Sequence, residues 1–304
     1  MNRAVNQEPD GLNAPVLLAV DFGGTTAGVG IAASDGQFLA KDSVSVADAG
    51  EAHRVVESVL SLARALLGDR EPLAIGVSSM GITDETGVRL APNVPGWVHL
   101  ALPGELRNAF PGVPHRIAND VKAALTAEMR WGALQGEDPV AYVNWGTGIG
   151  MAFGQRGLVW PGVHGAAGEI AYLSPLGSPR VREGGSPLEE RVGGAALDRT
   201  ARDRFGLAGG FPEACRLADE RPEVARWVRE VVRETGWMLA QALLVLDVAQ
   251  VALGGGVGSQ WRRFAPAIRA TWRDAMPYPP RLVKARFGQD AALVGALALA
   301  LDLL

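Results

Sequence analysis

The chain has 304 residues, of which 48% are hydrophobic and 20% are charged, and its formal net charge is −4. This is an ordinary globular composition, and a chain of this length usually divides into two lobes or domains. Lys and Arg form no basic stripe, which argues against nucleic acid as a partner. The longest apolar stretches, Met238–Leu246 and Ala291–Leu301, are shorter than the roughly 20 residues that cross a bilayer, so no membrane partner is expected.

Cys215 is the only cysteine. A single cysteine excludes a disulfide within the chain and a zinc site built from several cysteines. This low count suits the reducing cytoplasm, where we expect the protein to act. Residues 1–15 are polar and lack the apolar core of a signal peptide, so we expect a flexible tail.

Two segments follow one pattern. Val16–Gly36 and Val140–Gly157 each contain an apolar strand, a Gly/Thr turn, a second apolar strand and a further Gly-rich turn. This pattern predicts a β-hairpin with a glycine-rich tip. Its recurrence predicts two lobes built on one plan.

The other segments alternate between helical and strand patterns. Apolar residues at helical spacing predict a helix over Ala52–Leu67, with Gly68 as its C-cap. The remaining predictions, in chain order, are a strand at Leu73–Ser78, a linker over Ala91–Pro114, a helix over Asn119–Leu134, an irregular loop at Ser174–Pro187, a helix over Pro222–Leu246, a strand at Val248–Leu253 and a closing helix over Ala291–Leu301.

Asp21 ends the first predicted strand and precedes Phe22-Gly23-Gly24-Thr25-Thr26. Glycines let the backbone approach a phosphate closely, threonine adds a hydroxyl, and an aspartate at a strand end can hold a hydrated Mg²⁺. The same residues also suit an ordinary hairpin turn, and the pattern alone leaves both interpretations open.

Two further glycine clusters follow predicted strands. Gly146-Thr147-Gly148-Ile149-Gly150 departs from the dinucleotide fingerprint, because its sixth position is Met151 and the next segment is predicted to be a strand. A pair of Gly/Thr turns favours a clamp around a polyphosphate. Gly254-Gly255-Gly256 is either a third place where the backbone can approach a ligand closely or a turn that leads into a helix.

Asn119 and Asp120 precede a predicted helix. Both residue types are favoured N-caps, and from these two residues alone the cap is the better interpretation. The alternative is a carboxylate placed to take a proton from a substrate hydroxyl.

Taken in order, the motifs resemble those of the ROK family of bacterial sugar kinases, repressors and related proteins, from about Val16 to the C-terminus. The matching stretches are DFGGTT at Asp21–Thr26, NVPGW at Asn93–Trp97, NDVKAALTAE at Asn119–Glu128, WGAL at Trp131–Leu134, GTGIG at Gly146–Gly150, GAAGEIAYL at Gly165–Leu173, LEERVGGAAL at Leu188–Leu197 and ALGGGV at Ala252–Val257.

The resemblance implies an α/β, two-lobed, actin-like and hexokinase-like ATPase fold of the ribonuclease H-like class, with the active site in the interlobe cleft. The small lobe would comprise residues 16–117 completed by residues 290–304, and the large lobe residues 118–289. The implied activity is transfer of the γ-phosphate of ATP to a hexose hydroxyl, first of all the 6-hydroxyl of glucose or a related hexose. A homodimer is implied as well.

The resemblance also assigns site residues. ATP phosphates and Mg²⁺ are assigned to Asp21, Gly23, Gly24, Thr25, Thr26, Gly146, Thr147 and Gly148, with Asp21 holding the metal through water. The adenosine is assigned to Gly254, Gly255 and Gly256. The sugar is assigned to Gly81, Asn119, Asp120, Glu169 and Glu189, with Asp120 as the catalytic base. Without the motifs, Glu169 and Glu189 would be interpreted as surface charges.

The chain departs from the family pattern at a zinc site. The positions of three family cysteines and one histidine are taken by Arg180, Arg182, Pro187 and Tyr172. We therefore expect no structural zinc and an open sugar preference. Thr26 stands where lysine is common, which should weaken phosphate binding.

Two alternatives to a kinase are a sugar-responsive repressor and a catalytically silent sugar-binding protein. A repressor of this family carries a winged-helix region, which we do not expect within the 15 residues before the first strand. The presence of Asp120 argues against a catalytically silent protein, and a turnover assay distinguishes that alternative from a kinase. A phosphate donor other than ATP also stays open.

Overall fold

The computed structural model describes residues 15–84, 86–89, 96–174 and 185–304. Its strands are β1 Val16–Phe22, β2 Thr26–Ala33, β3 Phe38–Ser45, β4 Pro72–Ser79, β5 Ile82–Asp84, β6 Gly87–Arg89, β7 His115–Asn119, β8 Val140–Trp145, β9 Ile149–Gln155, β10 Leu158–Val159, β11 Gln250–Gly254 and β12 Arg281–Lys284. Its helices are α1 Val46–Ala49, α2 Ala52–Leu67, α3 Leu102–Ala109, α4 Asp120–Trp131, α5 Glu189–Val192, α6 Gly194–Phe205, α7 Gly210–Leu217, α8 Pro222–Leu246, α9 Gly255–Gly258, α10 Trp261–Ala275 and α11 Ala291–Leu301. Among these helices, none is long and apolar enough to cross a membrane.

Two five-stranded sheets have the same topology. Their strand orders are β3-β2-β1-β4-β7 and β10-β9-β8-β11-β12. In each sheet the first three strands form an antiparallel meander, and the last two lie parallel to the central strand. The two β-hairpins predicted from the sequence are thereby confirmed, and each belongs to a sheet of the same topology.

The first compact unit comprises Met1–Ala123 and Ala292–Leu304. Helix α2 buries Val55, Val56 and Val59 in the core of this unit. Helix α11 packs on the sheet so closely that a side chain at Gly76 would overlap the Ala296 carbonyl. An apolar C-terminal helix thus becomes part of the core of the N-terminal unit.

The second unit comprises Ala124–Ala291. Helices α8 and α10 pack against each other in this unit, and the indole of Trp272 donates a hydrogen bond of 3.0 Å to the carbonyl of Gly236. The division that the sequence predicts at residues 117 and 289 lies close to these limits. The assignment of these segments to a small and a large lobe stays a prediction.

The predicted linker over Ala91–Pro114 is wrong for its described part. It contains α3, which buries Leu102 and Leu106 in the first unit. Pro103 lies in the first turn of α3, where a missing backbone N–H costs nothing. Residues 91–95, most of the loop predicted at Ser174–Pro187 (175–184) and residues 1–14 of the predicted tail lie outside the described residues.

Glu128 is a buried acidic side chain within the second unit. Its Oε2 accepts a hydrogen bond of 2.7 Å from the backbone N–H of Ala133. Its Oε1 accepts from the N–H groups of Arg286 and Phe287, at 2.7 and 3.2 Å. The carboxyl group thus joins the end of α4 to the segment that follows β12.

Replacing Glu128 with glutamine should lower the free energy of unfolding by roughly 2–3 kcal/mol, because the amide NH₂ must face at least one buried donor and leave it unsatisfied. Urea denaturation measures this loss. Glu213→Gln is the control, since within the described part of the chain that half-buried carboxyl accepts one backbone hydrogen bond, from Gly209 at 2.7 Å. Equal effects of the two substitutions would contradict the role given to Glu128.

Candidate functional site

Three parallel strands of the first unit bring polar residues to one edge of the sheet. In the register of β1, β4 and β7, Asp21 pairs with Ser78, and Ser79 pairs with Asn119. Asp120 follows Asn119 directly as the first residue of α4. The predicted metal-binding residue Asp21 and the predicted base Asp120 therefore lie at the same edge, and the charge of Asp120 acts on Asp21.

Asp21 is held in an unusual electrostatic environment. Its Oδ1 is buried and makes no regular hydrogen bond, and the same is true of the Ser78 Oγ. Burial raises the pKa of Asp21 to about 7, the Ser78 hydroxyl partly opposes this rise, and the Asp120 charge adds to it. A buried carboxyl with an unsatisfied oxygen suits a ligand that carries positive charge or donates hydrogen bonds.

The turn between β1 and β2 exposes its backbone. Gly24, Thr25 and Thr26 are exposed, and Thr26 is the first residue of β2. Gly23 donates its N–H to the Thr26 carbonyl at 3.2 Å, which closes the turn. An exposed Gly/Thr turn beside Asp21 can present backbone amides to an anionic group such as a phosphate.

The roles of Asn119 and Asp120 can be separated by their contacts. The Asn119 Oδ1 accepts a hydrogen bond of 3.0 Å from the Lys122 N–H, which is the standard N-cap interaction. The Asp120 Oδ1 accepts from the adjacent Val121 N–H at 2.9 Å. Asn119 is therefore the residue that caps α4, and Asp120 is a half-buried carboxyl at the first position of the helix.

Gly81 lies just after β4, with a positive φ of 73°. The preceding residue, Met80, donates its N–H to the Phe22 carbonyl at 3.2 Å, which ties this turn to the end of β1. The structure thus places Gly81 near the same strand ends as Asp21.

In the second unit, the turn between β8 and β9 is bound to the start of α6. Gly194 and Ala195 donate their N–H groups to the carbonyls of Gly146 and Thr147, each at 2.9 Å. A side chain at Gly194 would bring its Cβ within 2.5 Å of the Gly146 oxygen, so only glycine permits this approach.

A cavity of about 280 Å³ lies beside this turn. It brings together Gly146, Thr147 and Gly256, three residues that the family resemblance assigns to nucleotide binding. Its other lining residues, which sequence reasoning missed, are Gly194, Ala195, Asp198, Phe211, Pro212, Val257 and Gln260. The adjacent glycines of the LEERVGGAAL motif were the available signal, because they mark the close approach of α6 to the turn.

The three glycines after β11 have different structural demands. Gly255 has a φ of +85°, and a side chain there would overlap the Trp145 carbonyl. Gly256 has open space around the position of a Cβ and lines the cavity.

Gly255→Ala should lower the free energy of unfolding by several kcal/mol, at least ~2, because backbone strain and steric overlap add. Gly256→Ala is the matched control. It should change stability by less than about 1 kcal/mol and act on nucleotide affinity instead. Thermal melts and nucleotide titrations of both variants test this, and equal stability of the two would contradict it.

The predicted sugar-binding carboxylates lie in the second unit. A hydrogen bond of 3.0 Å from Met151 to Gly168 places the following Glu169 beside β9. The Glu189 Oε2 accepts from the Ile149 N–H at 3.1 Å and lies against Gly148. Glu189 therefore contacts the glycine turn that is assigned to phosphates, a contact that the sequence does not indicate.

The family zinc positions are only partly described. Tyr172 lies in a 3₁₀ turn, Ile170–Tyr172, and Pro187 is buried, whereas Arg180 and Arg182 lie outside the described residues. Within residues 15–84, 86–89, 96–174 and 185–304, no three His, Cys, Asp or Glu side chains cluster as metal ligands.

The ROK family model matches residues 17–303. The chain belongs to the ROK family. Glucokinase from Thermotoga maritima is 32% identical over 163 residues, which are 52% of this chain and 50% of that protein. Glucokinase from Streptomyces coelicolor is 26% identical over 319 aligned residues, covering 94% of this chain and 97% of that protein.

Solved structures of ROK proteins share the fold. The ROK hexokinase from Thermus thermophilus is 32% identical, with a TM-score of 0.81 over 95% of this chain and 99% of that one. A ROK glucokinase from Streptomyces griseus, solved with glucose and AMPPNP, is 25% identical, with a TM-score of 0.77 over 94% and 99%. The actin-like ATPase fold implied by the sequence motifs is thereby confirmed.

Proposed function

We propose that this ROK protein is an ATP-dependent sugar kinase that transfers a phosphoryl group to a hexose hydroxyl, first of all the 6-hydroxyl of glucose. The observation that carries the proposal is that Asp120 and Asp21 lie at the same ends of neighbouring parallel strands and influence each other electrostatically, beside an exposed Gly/Thr turn. A base, a carboxyl able to hold a metal, and phosphate-binding amides are the groups that phosphoryl transfer requires. The names of the relatives support the same activity.

In the proposed mechanism Asp120 accepts the proton of the attacking sugar hydroxyl, and Asn119, Gly81, Glu169 and Glu189 hold the sugar. Carboxylates suit this binding because each accepts hydrogen bonds from several hydroxyls. Transfer depends mainly on positioning and on charge stabilisation.

Asp21 fits a hydrated Mg²⁺, because its buried Oδ1 has no regular hydrogen-bond donor. The metal, when bound, would neutralise charge on the phosphates. The turns Gly23–Thr26 and Gly146–Gly148 would bind those phosphates through backbone amides other than those of Gly23 and Gly146, which already donate within their turns, and Gly254–Gly256 would lie against the adenosine. We also propose a homodimer, as the resemblance implies.

A coupled ADP-release assay against a panel of hexoses tests the proposal. The panel contains glucose, mannose, fructose and an N-acetylhexosamine, and MgATP is the first donor. Turnover of at least one sugar is expected. Sugar binding without turnover would instead support the catalytically silent protein, and calorimetric titration detects that binding directly.

We expect the purified protein to contain no stoichiometric zinc, because residues other than cysteine and histidine occupy the four family ligand positions, including Tyr172 and Pro187. Elemental analysis after exhaustive dialysis measures this. One zinc per chain would show that other residues bind the metal.

A further inference from the structure

Helix α8 leaves a row of large apolar side chains exposed. Trp237 is 50% exposed, Leu244 49% and Val245 83%. They lie one or two helical turns apart, on one side of the helix together with the exposed Gln241. We call Trp237, Gln241, Leu244 and Val245 the α8 stripe. A contiguous apolar stripe of this kind marks a surface that another molecule covers.

The α8 stripe is complementary to a second copy of itself. Trp237 precedes Gln241 by nearly the same distance along the helix as Leu244 and Val245 follow it. When two copies of α8 lie antiparallel about a twofold axis at Gln241, Trp237 of each copy therefore lies opposite Leu244 and Val245 of the other. Gln241 then faces its own equivalent, and two amides can bond to each other because each carries both donors and an acceptor.

The charges beside the α8 stripe follow the same symmetry. Arg233 lies one turn before Trp237, and Asp247 caps the C-terminus of α8. Both are exposed, and neither side chain forms an ion pair within the part of the chain that the structure describes. In the antiparallel arrangement Arg233 of one copy lies beside Asp247 of the other and beside the carbonyl end of that helix, which favours a positive charge. One axis thus satisfies the apolar and the charged contacts together.

We propose that the α8 stripe is a self-association surface, through which two copies of this chain form an antiparallel α8–α8 contact centred on Gln241. The inference rests on the homodimer proposed above and names its surface. The partner is a second copy because the apolar side chains, the central amide and the flanking charges all pair with themselves about a single point.

Gln241→Cys tests the position of the axis. Two cysteines beside a twofold axis should form a disulfide when oxidised glutathione is added, and non-reducing electrophoresis should show that most of the protein becomes a covalent dimer. The native Cys215 is buried and should contribute little. Arg229→Cys is the matched control, because this residue is exposed on the same helix but its two copies would lie roughly 35 Å apart at the rise of an α-helix. Equal cross-linking of the two variants would overturn the inference.

Gln241→Glu tests the contact without a covalent bond. It places two like charges opposite each other in the dimer, whereas in the monomer the side chain is exposed to water. The dissociation constant of the dimer, measured by analytical ultracentrifugation at low ionic strength, should rise at least about tenfold. Arg229→Gln, far from the axis, should leave the dissociation constant within about twofold of the wild type.

The outcomes separate this inference from the proposed function. A dimeric wild type whose Gln241→Cys variant does not cross-link, or whose Gln241→Glu variant dissociates no more readily, would overturn the α8 surface and leave the homodimer intact. A monomeric wild type would overturn both and leave the α8 stripe for a different protein. The ADP-release assay tests the kinase activity independently of these results.

Discussion

Replacing Asp120 with asparagine is expected to lower kcat by about 10²–10⁴-fold, the usual contribution of a general base, because a neutral amide cannot take the proton of the sugar hydroxyl. Sugar affinity should fall less, since asparagine keeps an acceptor oxygen. Initial rates at saturating sugar and MgATP give kcat, and calorimetric titration of the same preparation gives sugar affinity.

The stability of the Asp120→Asn variant should be almost unchanged. Asn119 provides the cap through its bond of 3.0 Å to Lys122. An amide oxygen at position 120 can still accept from Val121, as the Asp120 Oδ1 does at 2.9 Å. The substitution also removes a charge that raises the pKa of Asp21, so any change in stability near neutral pH should be a small gain.

Asn119→Ala is the matched comparison for Asp120→Asn. It removes the cap and should cost about 1 kcal/mol of stability. The two neighbouring substitutions thus separate a structural role from a chemical one. Turnover by Asp120→Asn within about tenfold of the wild type, below the effect of losing a base, would remove Asp120 as the catalytic residue.

The sequence predicts the local part of this fold well. The predicted helices over Ala52–Leu67, Pro222–Leu246 and Ala291–Leu301 match α2, α8 and α11 residue for residue. Apolar periodicity and terminal glycine or proline residues are signals within one segment, so a single chain displays them. The same holds for the two hairpins, whose Gly/Thr turns are local.

Other elements were not predicted, because the local signals conflict or are weak. Pro266 lies inside α10, and Pro212 lies within the first turn of α7; both discourage a helical interpretation. Pro103 and Gly104 likewise made α3 resemble a linker. In each case the buried apolar residues of the helix outweigh local propensity, which becomes clear only when the packing is known.

The candidate site likewise contains residues that the sequence indicates and contacts that it does not. Asp21 and Asp120 could be singled out in the sequence, but the local pattern left the role of Asp21 open and favoured a helix cap at Asp120, and only the family resemblance assigned the metal and the base to them. The bond from Ile149 to Glu189 joins positions 40 residues apart in the chain, and the cavity is formed by α6 and α7 meeting the turn between β8 and β9. Long-range contacts of this kind leave no pattern in one sequence, and the same is true of the burial that sets the pKa of Asp21.

Asp21→Asn should have opposite effects on activity and on stability. If Asp21 holds the metal that accompanies ATP, the substitution should lower kcat by about 10²–10³-fold, as for loss of one strong electrostatic contact. The ligand-free protein should nevertheless become more stable near pH 8, because the buried carboxyl no longer has to ionise. Buried groups placed for function commonly reduce stability in this way.

The pH dependence follows from the direction of the pKa shift. The pKa of Asp21 is about 7 in the folded protein, against an ordinary value of 3.8 that applies to the unfolded chain. Between these values the folded state binds a proton that the unfolded state has lost, so wild-type stability falls as pH rises from about 4 to about 7. Since one pKa unit corresponds to about 1.4 kcal/mol, a shift of this size makes the contribution lost on the order of 4 kcal/mol.

Urea denaturation of the ligand-free wild type and of Asp21→Asn at about pH 4.5 and pH 8 measures this contribution. The stability difference should be small at the lower pH and should reach a few kcal/mol in favour of the variant at the higher pH. Asp219→Asn is the control with the opposite sign, because the hydrogen bond from Arg263 lowers the pKa of the exposed Asp219 carboxyl. A difference between wild type and Asp21→Asn that does not vary with pH would mean that Asp21 is ionised throughout, and its buried Oδ1 would then need a donor that binds it in the ligand-free protein.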